Sequence, residues 1–327
     1  MPSSRSSLLV LGLLLPILAL AAEPLKEVEA WLQKMQRAAH TLNYEGTFVY
    51  GHDNNLTSMR IIHRADERGE QERLIALDGS GREVVRNDDG VACIMPDAQS
   101  VVVESKRTHK QFPPAFPMRI DNLTAIYRFR LAGEQQVAGR TTQRIDIQPR
   151  DAYRYGHRLW IDRETGLLLK THLVDEQGQA VEQFMFTRIR FLDEVPDEWL
   201  QPTVDASRFT RYEARSDAPL VMDNPPGVTI GWMPPGFYED LQRMQRLPAS
   251  THPVEHLVFS DGLASVSVFL EEEVERDAAN LIGATRMGAV NAHGRSLGDY
   301  HVTVVGEVPH LTVQKISTAV RLKPDDD

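Results

Sequence analysis

The chain is short of cysteine, of lysine and of long apolar runs, and each shortage excludes something. Cys93 is the single cysteine in 327 residues, so no intramolecular disulfide is available and the fold must rest on its core. Its setting, Gly90-Val-Ala-Cys-Ile-Met95, reads as an apolar strand and suits a buried thiol better than a reactive one. Lysine occurs 7 times against 29 arginines. Cationic contacts therefore fall to a planar group that grips carboxylate or phosphate with two prongs. Positive charge as a whole is in deficit, 36 Lys+Arg against 46 Asp+Glu, a formal net charge of −10. That balance argues against a nucleic-acid partner, which needs clustered positive charge.

Catalytic and metal spacings are missing as well. There is no HExxH and no CxxC. His252 and His256 are spaced for one helix face, but Pro253 breaks that helix. Gly79-Ser80-Gly81 lacks the spacing of a nucleophile elbow and sits in a hairpin turn. The carboxylates of Asp193-Glu194 and Glu271–Glu273 come in runs, as on a solvated edge. No catalytic residue, metal site or cofactor is assigned, and the chain is read as a binding protein and not an enzyme.

What is present begins with an export signal. Arg5 precedes an apolar run from Leu8 to Leu20, which closes on Ala19-Leu-Ala21 and Ala22. This is a charged start, a short apolar stretch interrupted by Pro16, and a small-residue cleavage site near Ala21/Ala22. Residues 1–22 are assigned to it. Its removal takes Arg5 and no acid, leaving 35 − 46 = −11. No later run is long enough to span a bilayer as a helix.

The mature length suits two domains. Apolar residues at 25, 28, 32, 35, 39 and 42 predict an amphipathic helix over Leu25–Leu42, with Pro24 at its start. Short strands follow, from Tyr44–Tyr50 to Val181–Phe191, broken by turns such as Asp78-Gly-Ser-Gly81, with one short helix expected near Asn122–Tyr127. Turns this brief make antiparallel neighbours. Residues 23–202 are therefore expected to form one large, curved sheet with packed helices. Residues 203–228, rich in Pro and charge, read as a linker. Residues 229–322 read as a smaller α+β domain, with single strands at Arg286–Ala292 and His301–Glu307 and a closing helix at His310–Arg321. Residues 323–327 read as a frayed end. The fold class expected is α+β.

Binding candidates come from aromatic alternation and arginine. Phe48 and Tyr50 share a strand face. Tyr153 and Tyr155 alternate among Arg150, Arg154 and Arg158, a polar setting that suits the rim of a cleft. The segment Trp232-Met-Pro-Pro-Gly-Phe237 opens the smaller domain beside a possible groove, although turn formation explains it equally well. A cleft of this kind suits acyl chains or a peptide, the arginines meeting phosphate and Phe48 and Tyr50 meeting acyl carbon.

Several of these segments together resemble the MucB/RseB family of periplasmic regulators of the envelope-stress sigma factor. Tyr44-Glu-Gly-Thr-Phe-Val-Tyr50, Ile61-Ile-His-Arg64 and Glu72-Arg-Leu74 carry the opening. Ile147–Asp162, continuing through Arg163-Glu-Thr-Gly-Leu-Leu-Leu-Lys170, carries most of the resemblance. Trp232–Phe237, Phe259–Phe269 and Thr303–Pro309 complete it. The resemblance implies an unclosed antiparallel β-barrel like that of lipoprotein carriers, plus a small α+β domain. It also implies a periplasmic location and a partner, the periplasmic part of a single-pass anti-sigma factor, shielded from regulated proteolysis. Lipopolysaccharide-type ligands would release that partner. It supplies no catalytic residues. A lipid or lipoprotein carrier built on the same half-barrel is the alternative, and nothing in the sequence excludes a homodimer.

Overall fold

The computed structural model describes residues 22–53, 55–105, 120–213, 228–246, 253–272 and 281–323. Most of residues 1–22, read above as an export signal, with His252 and the acidic end 325–327, lie outside them. The chain opens with helix α1 (Ala22–Thr41). Val28, Leu32 and Met35 are at most 3% exposed and form one stripe, because side chains three and four apart share a helix face. That stripe packs on Ile145, Ile147, Leu159 and Ile161 of the sheet.

The strands of the large sheet are β1 (Tyr44–His52), β2 (Asn55–Asp66), β3 (Gly69–Ala76), β4 (Glu83–Arg86), β5 (Gly90–Met95), β6 (Ser100–Ser105), β7 (Tyr127–Val137), β8 (Arg140–Pro149), β9 (Gly156–Asp162), β10 (Leu168–Val174), β11 (Ala180–Phe191) and β12 (Thr210–Glu213). Their order is β12-β6-β5-β4-β3-β2-β1-β11-β10-β9-β8-β7. Two distinct edges remain, so the sheet is unclosed. From β1 to β6 and from β7 to β11 each consecutive pair is antiparallel, as short turns require. The sheet is a meander folded back once, where β11 inserts beside β1. On the face that carries α1, Tyr44, Phe48, Phe184 and Phe186 form a second core with Ile61 and Leu169.

The smaller sheet holds β14 (Tyr238–Arg246), β15 (Pro253–Ser260), β16 (Ser265–Glu272), β17 (Gly283–Met287), β18 (Val290–Leu297) and β19 (Tyr300–Gly306), in the order β14-β15-β16-β19-β18-β17. Strand β13 (Val228–Ile230) pairs with β20 (Val320–Leu322). Helix α2 is the single turn Asp197–Leu200 after β11, and helix α3 (His310–Ala319) buries Val313 and Ile316 against Val266, Val268, Val302 and Val304. The fold is α+β.

Three expectations need correction. The stretch Asn122–Tyr127 makes only a 3-10 turn, Asp121–Leu123, because Tyr127 already pairs with Pro149 at the start of β7. Arg286–Ala292 is the tip of a hairpin and not one strand. Gly288 at φ +60 supplies the turn, and Met287 pairs with Val290. Within the segment read as linker, Thr210–Glu213 adds a parallel edge strand to β6. All four of its residues are exposed, so it is held by backbone bonds and leaves no apolar alternation to read. His256 sits on strand β15, stacked on Phe269 with ring centroids 4.3 Å apart, as the helix break at Pro253 implied.

Candidate functional site

The segment between β8 and β9, residues 150–155, docks onto the smaller domain. An Asx turn shapes it, in which Tyr153 N–H donates to Asp151 Oδ1 at 3.0 Å. Three consecutive side chains, Tyr153, Arg154 and Tyr155, then reach three different parts of the second domain.

Arg154 is the centre. Its side chain and that of Asp261 are both 0% exposed, and Arg154 Nη1 donates to Asp261 Oδ2 at 2.6 Å. Tyr127 O–H donates to the same oxygen at 2.9 Å. The other oxygen, Oδ1, accepts the backbone N–H of Leu263 (2.8 Å) and Ala264 (2.7 Å). Arg154 Nε donates to Asp151 and Nη2 to the carbonyl of Pro235 at 2.7 Å. Its guanidinium lies 5.5 Å from the Tyr127 ring and 5.2 Å from that of Phe237. A buried ion pair stabilises a fold only when its remaining donors and acceptors are met, and here they are. Burial first, then the Asp261 carboxylate, pushes the Tyr127 phenol well above its ordinary value.

Tyr153 reaches helix α3 on one side. Lys315 Nζ donates to its hydroxyl at 2.9 Å and Thr312 Oγ1 to its carbonyl at 2.8 Å. Its ring meets Trp232 edge-on at 5.0 Å, and Lys315 lies 4.1 Å from the Trp232 ring. On the other side, Tyr155 accepts from Asn291 Nδ2 at 3.0 Å and packs with Leu173 and Ala289. The segment Trp232–Phe237 fits because Gly236, at φ +86, passes over Ile126. A Cβ there would lie 2.9 Å from the isoleucine.

At the rim, Asp53 between β1 and β2 accepts from Arg286 at 2.5 Å and from Gly288 N–H at 2.6 Å. Those contacts, the Gly288 N–H foremost, hold its carboxyl below the usual range. Between rim and centre lies a cavity of about 40 Å³, lined by Tyr155, His157, Leu173, Leu263, Ala264, Ser265 and Glu307. That is room for a water molecule and not for a lipid. Next to it, burial and the neighbouring Glu307 push Glu182 up to about 7, and burial holds His157 down at about 4.

The predicted residues thus separate. Tyr153, Arg154, Tyr155, Trp232 and Phe237 come together, but as a joint between domains. Arg154 is not on a rim and has no prong left for phosphate. Arg150 spends Nε on the carbonyls of Thr124 and Tyr127. Phe48, 3% exposed and 4.9 Å from Phe184, is a core side chain and does not line an open cleft. Tyr50 is half-buried at the margin of that core. Arg158 points to the opposite sheet face, level with His172. Tyr127, Asp261, Asn291 and Lys315 were not anticipated. Asp261 stood in plain view within Phe259–Phe269, a segment that carries part of the resemblance.

Fold and joint together define a two-domain α+β protein, with a curved sheet locked to a smaller α+β unit. Residues 27–204 match the MucB/RseB N-terminal domain and residues 223–321 the MucB/RseB C-terminal domain, so the chain belongs to the MucB/RseB family. It is 32% identical, over 97% of both chains, to the Sigma factor AlgU regulatory protein MucB of Pseudomonas aeruginosa. To the Sigma-E factor regulatory protein RseB of Haemophilus influenzae it is 29% identical over 96% of this chain and 97% of that one. Among solved structures, the Pseudomonas aeruginosa MucA/MucB complex superposes with a TM-score of 0.69 at 30% identity. The match covers 91% of this chain and 99% of that one.

Proposed function

We propose that this chain is a periplasmic negative regulator of an envelope-stress sigma-factor pathway. It is exported by the signal at residues 1–22 and binds the periplasmic part of a membrane anti-sigma factor, as the MucB of the solved complex is paired with MucA. It shields that partner from regulated proteolysis until a lipopolysaccharide-type ligand releases it. The observation that carries this reading is the presence of both family domains, in order, in one chain, joined through the segment that carries most of the resemblance. A partner segment that borders the joint would meet the half-buried rings of Tyr153, Trp232 and Phe237. Its affinity would then depend on how the two domains are set against each other.

A carrier of lipid or lipoprotein needs only the large sheet. The second domain, tied by a dry ion pair, is better explained by regulation. Calorimetric titration of the mature chain with the periplasmic segment of the anti-sigma factor tests the choice. Saturable one-to-one binding supports the regulator, whereas lipid extracted from the purified protein with no peptide binding supports the carrier.

A further inference from the structure

The large sheet carries a basic face that the joint does not use. Strand register puts Arg130, Asp146, Arg158 and His172 in one row across β7, β8, β9 and β10. It puts Arg144, Trp160 and Lys170 in the next. Paired residues project to the same side of a sheet, and successive residues alternate, so Arg128 joins this side too. Leu159 and Ile161, under α1, take the other. The count on these strands is five cations (Arg128, Arg130, Arg144, Arg158, Lys170) to one carboxylate, Asp146. At the far end Asp162 is already neutralised by Arg140 at 2.9 Å. Asp146 is shared by Arg130 (2.6 Å) and Arg144 (2.9 Å). Among the described residues, no carboxylate lies within ion-pair distance of Arg128, Arg158 or Lys170. On β11, Arg188 extends the same side, paired in register with Thr47. A surplus of four or five positive charges thus lies on one face of a chain whose net charge is −10.

The chemistry around these cations narrows the partner. Gln148 and Gln183, which share the face, are exposed and polar. The large aromatic ring there, Trp160, is 3% exposed and donates its indole N–H to Gln135. The apolar side chains of the face, Trp160 and Met185, are buried and half-buried, so it offers little for a helix to dock on or to insert into hydrocarbon. Burial, Lys170 and Arg158 together hold His172 down at about 4, so it adds no charge at neutral pH.

We propose that the face formed by β7–β11 is a peripheral docking surface for anionic phospholipid headgroups, so that the protein lies against a bilayer through arginine–phosphate contacts without inserting. This goes beyond the regulator reading and stands without it.

Co-sedimentation of the mature chain with vesicles containing roughly one-third phosphatidylglycerol in phosphatidylcholine, at about 0.1 M salt, tests it. Binding is expected to the mixed vesicles and not to phosphatidylcholine alone, and to fade as salt rises. The variant Arg128→Glu/Arg158→Glu/Arg188→Glu should lose at least about 100-fold, since each basic residue near such a surface contributes roughly fivefold. Its thermal melt and its affinity for the anti-sigma segment should stay unchanged, which separates this surface from the partner site and from misfolding. Lys170→Gln, a single neutralisation, should lose about fivefold. Absence of wild-type binding to the mixed vesicles would overturn the proposal. So would equal binding by the triple variant, or binding to lipopolysaccharide micelles but not to phosphatidylglycerol vesicles.

Discussion

Two ion pairs tie the same two domains together, and they could hardly differ more. Arg154–Asp261 is dry at both ends, and every prong and oxygen it owns is met by a tyrosine, an Asx carboxylate, a proline carbonyl or a turn amide. Asp53–Arg286 lies at the rim, with side chains 31% and 57% exposed. The buried pair fixes one relative placement of the domains, because any shift strands a desolvated charge. The rim pair can break and be replaced by water at little cost. Under the proposed function such a graded joint would serve holding and release, with a hub that locates the domains and a rim that can part first.

The sharpest way to break this contrast is at the hub. Asp261→Ala should cost about 3–5 kcal/mol in denaturant unfolding, because Arg154 is left buried and unpaired. Trp232→Ala should cost about 2 kcal/mol by the same measurement, through loss of the Lys315 and Tyr153 contacts. Tyr155→Phe removes one hydrogen bond, from Asn291, and should cost about 1 kcal/mol.

Between hub and rim the contrast turns on pH. Glu182, an acid whose value in the folded state is raised to about 7, binds a proton that the unfolded chain has already released above about 4.5. Its contribution to stability is therefore lost as pH rises from about 4.5 through about 7. Glu182→Gln should flatten that part of a melting profile, and an unchanged slope would count against it. At the rim, Arg286→Ala should have the smallest effect of the series, and less still in high salt.

Much of the large sheet is legible in the sequence because its strands have one wet and one dry face. In Tyr127-Arg-Phe-Arg-Leu131 the alternation is complete, and the structure puts the arginines outside and the rings inside. Strand β12 could not be read in this way, since all four of its residues face water. The joint was half legible. Tyr153, Arg154 and Tyr155 stood out as a group, but their burial depends on Asp261, 107 residues away. An arginine that waits for phosphate and one that is sealed against a distant aspartate look alike until the partner is known. Phe48 was misjudged for a related reason. Its alternation with Tyr50 shows which face it takes, and only Phe184 and Phe186, brought alongside by the late insertion of β11, show that this face is filled.

The most direct test of the account is the affinity of the mature chain for the periplasmic segment of its anti-sigma factor, measured beside that of Trp232→Ala. Saturable one-to-one binding, weakened in the variant while its circular dichroism stays that of the parent chain, is the result predicted. No measurable binding by the parent chain, in a preparation shown to be folded, would contradict it.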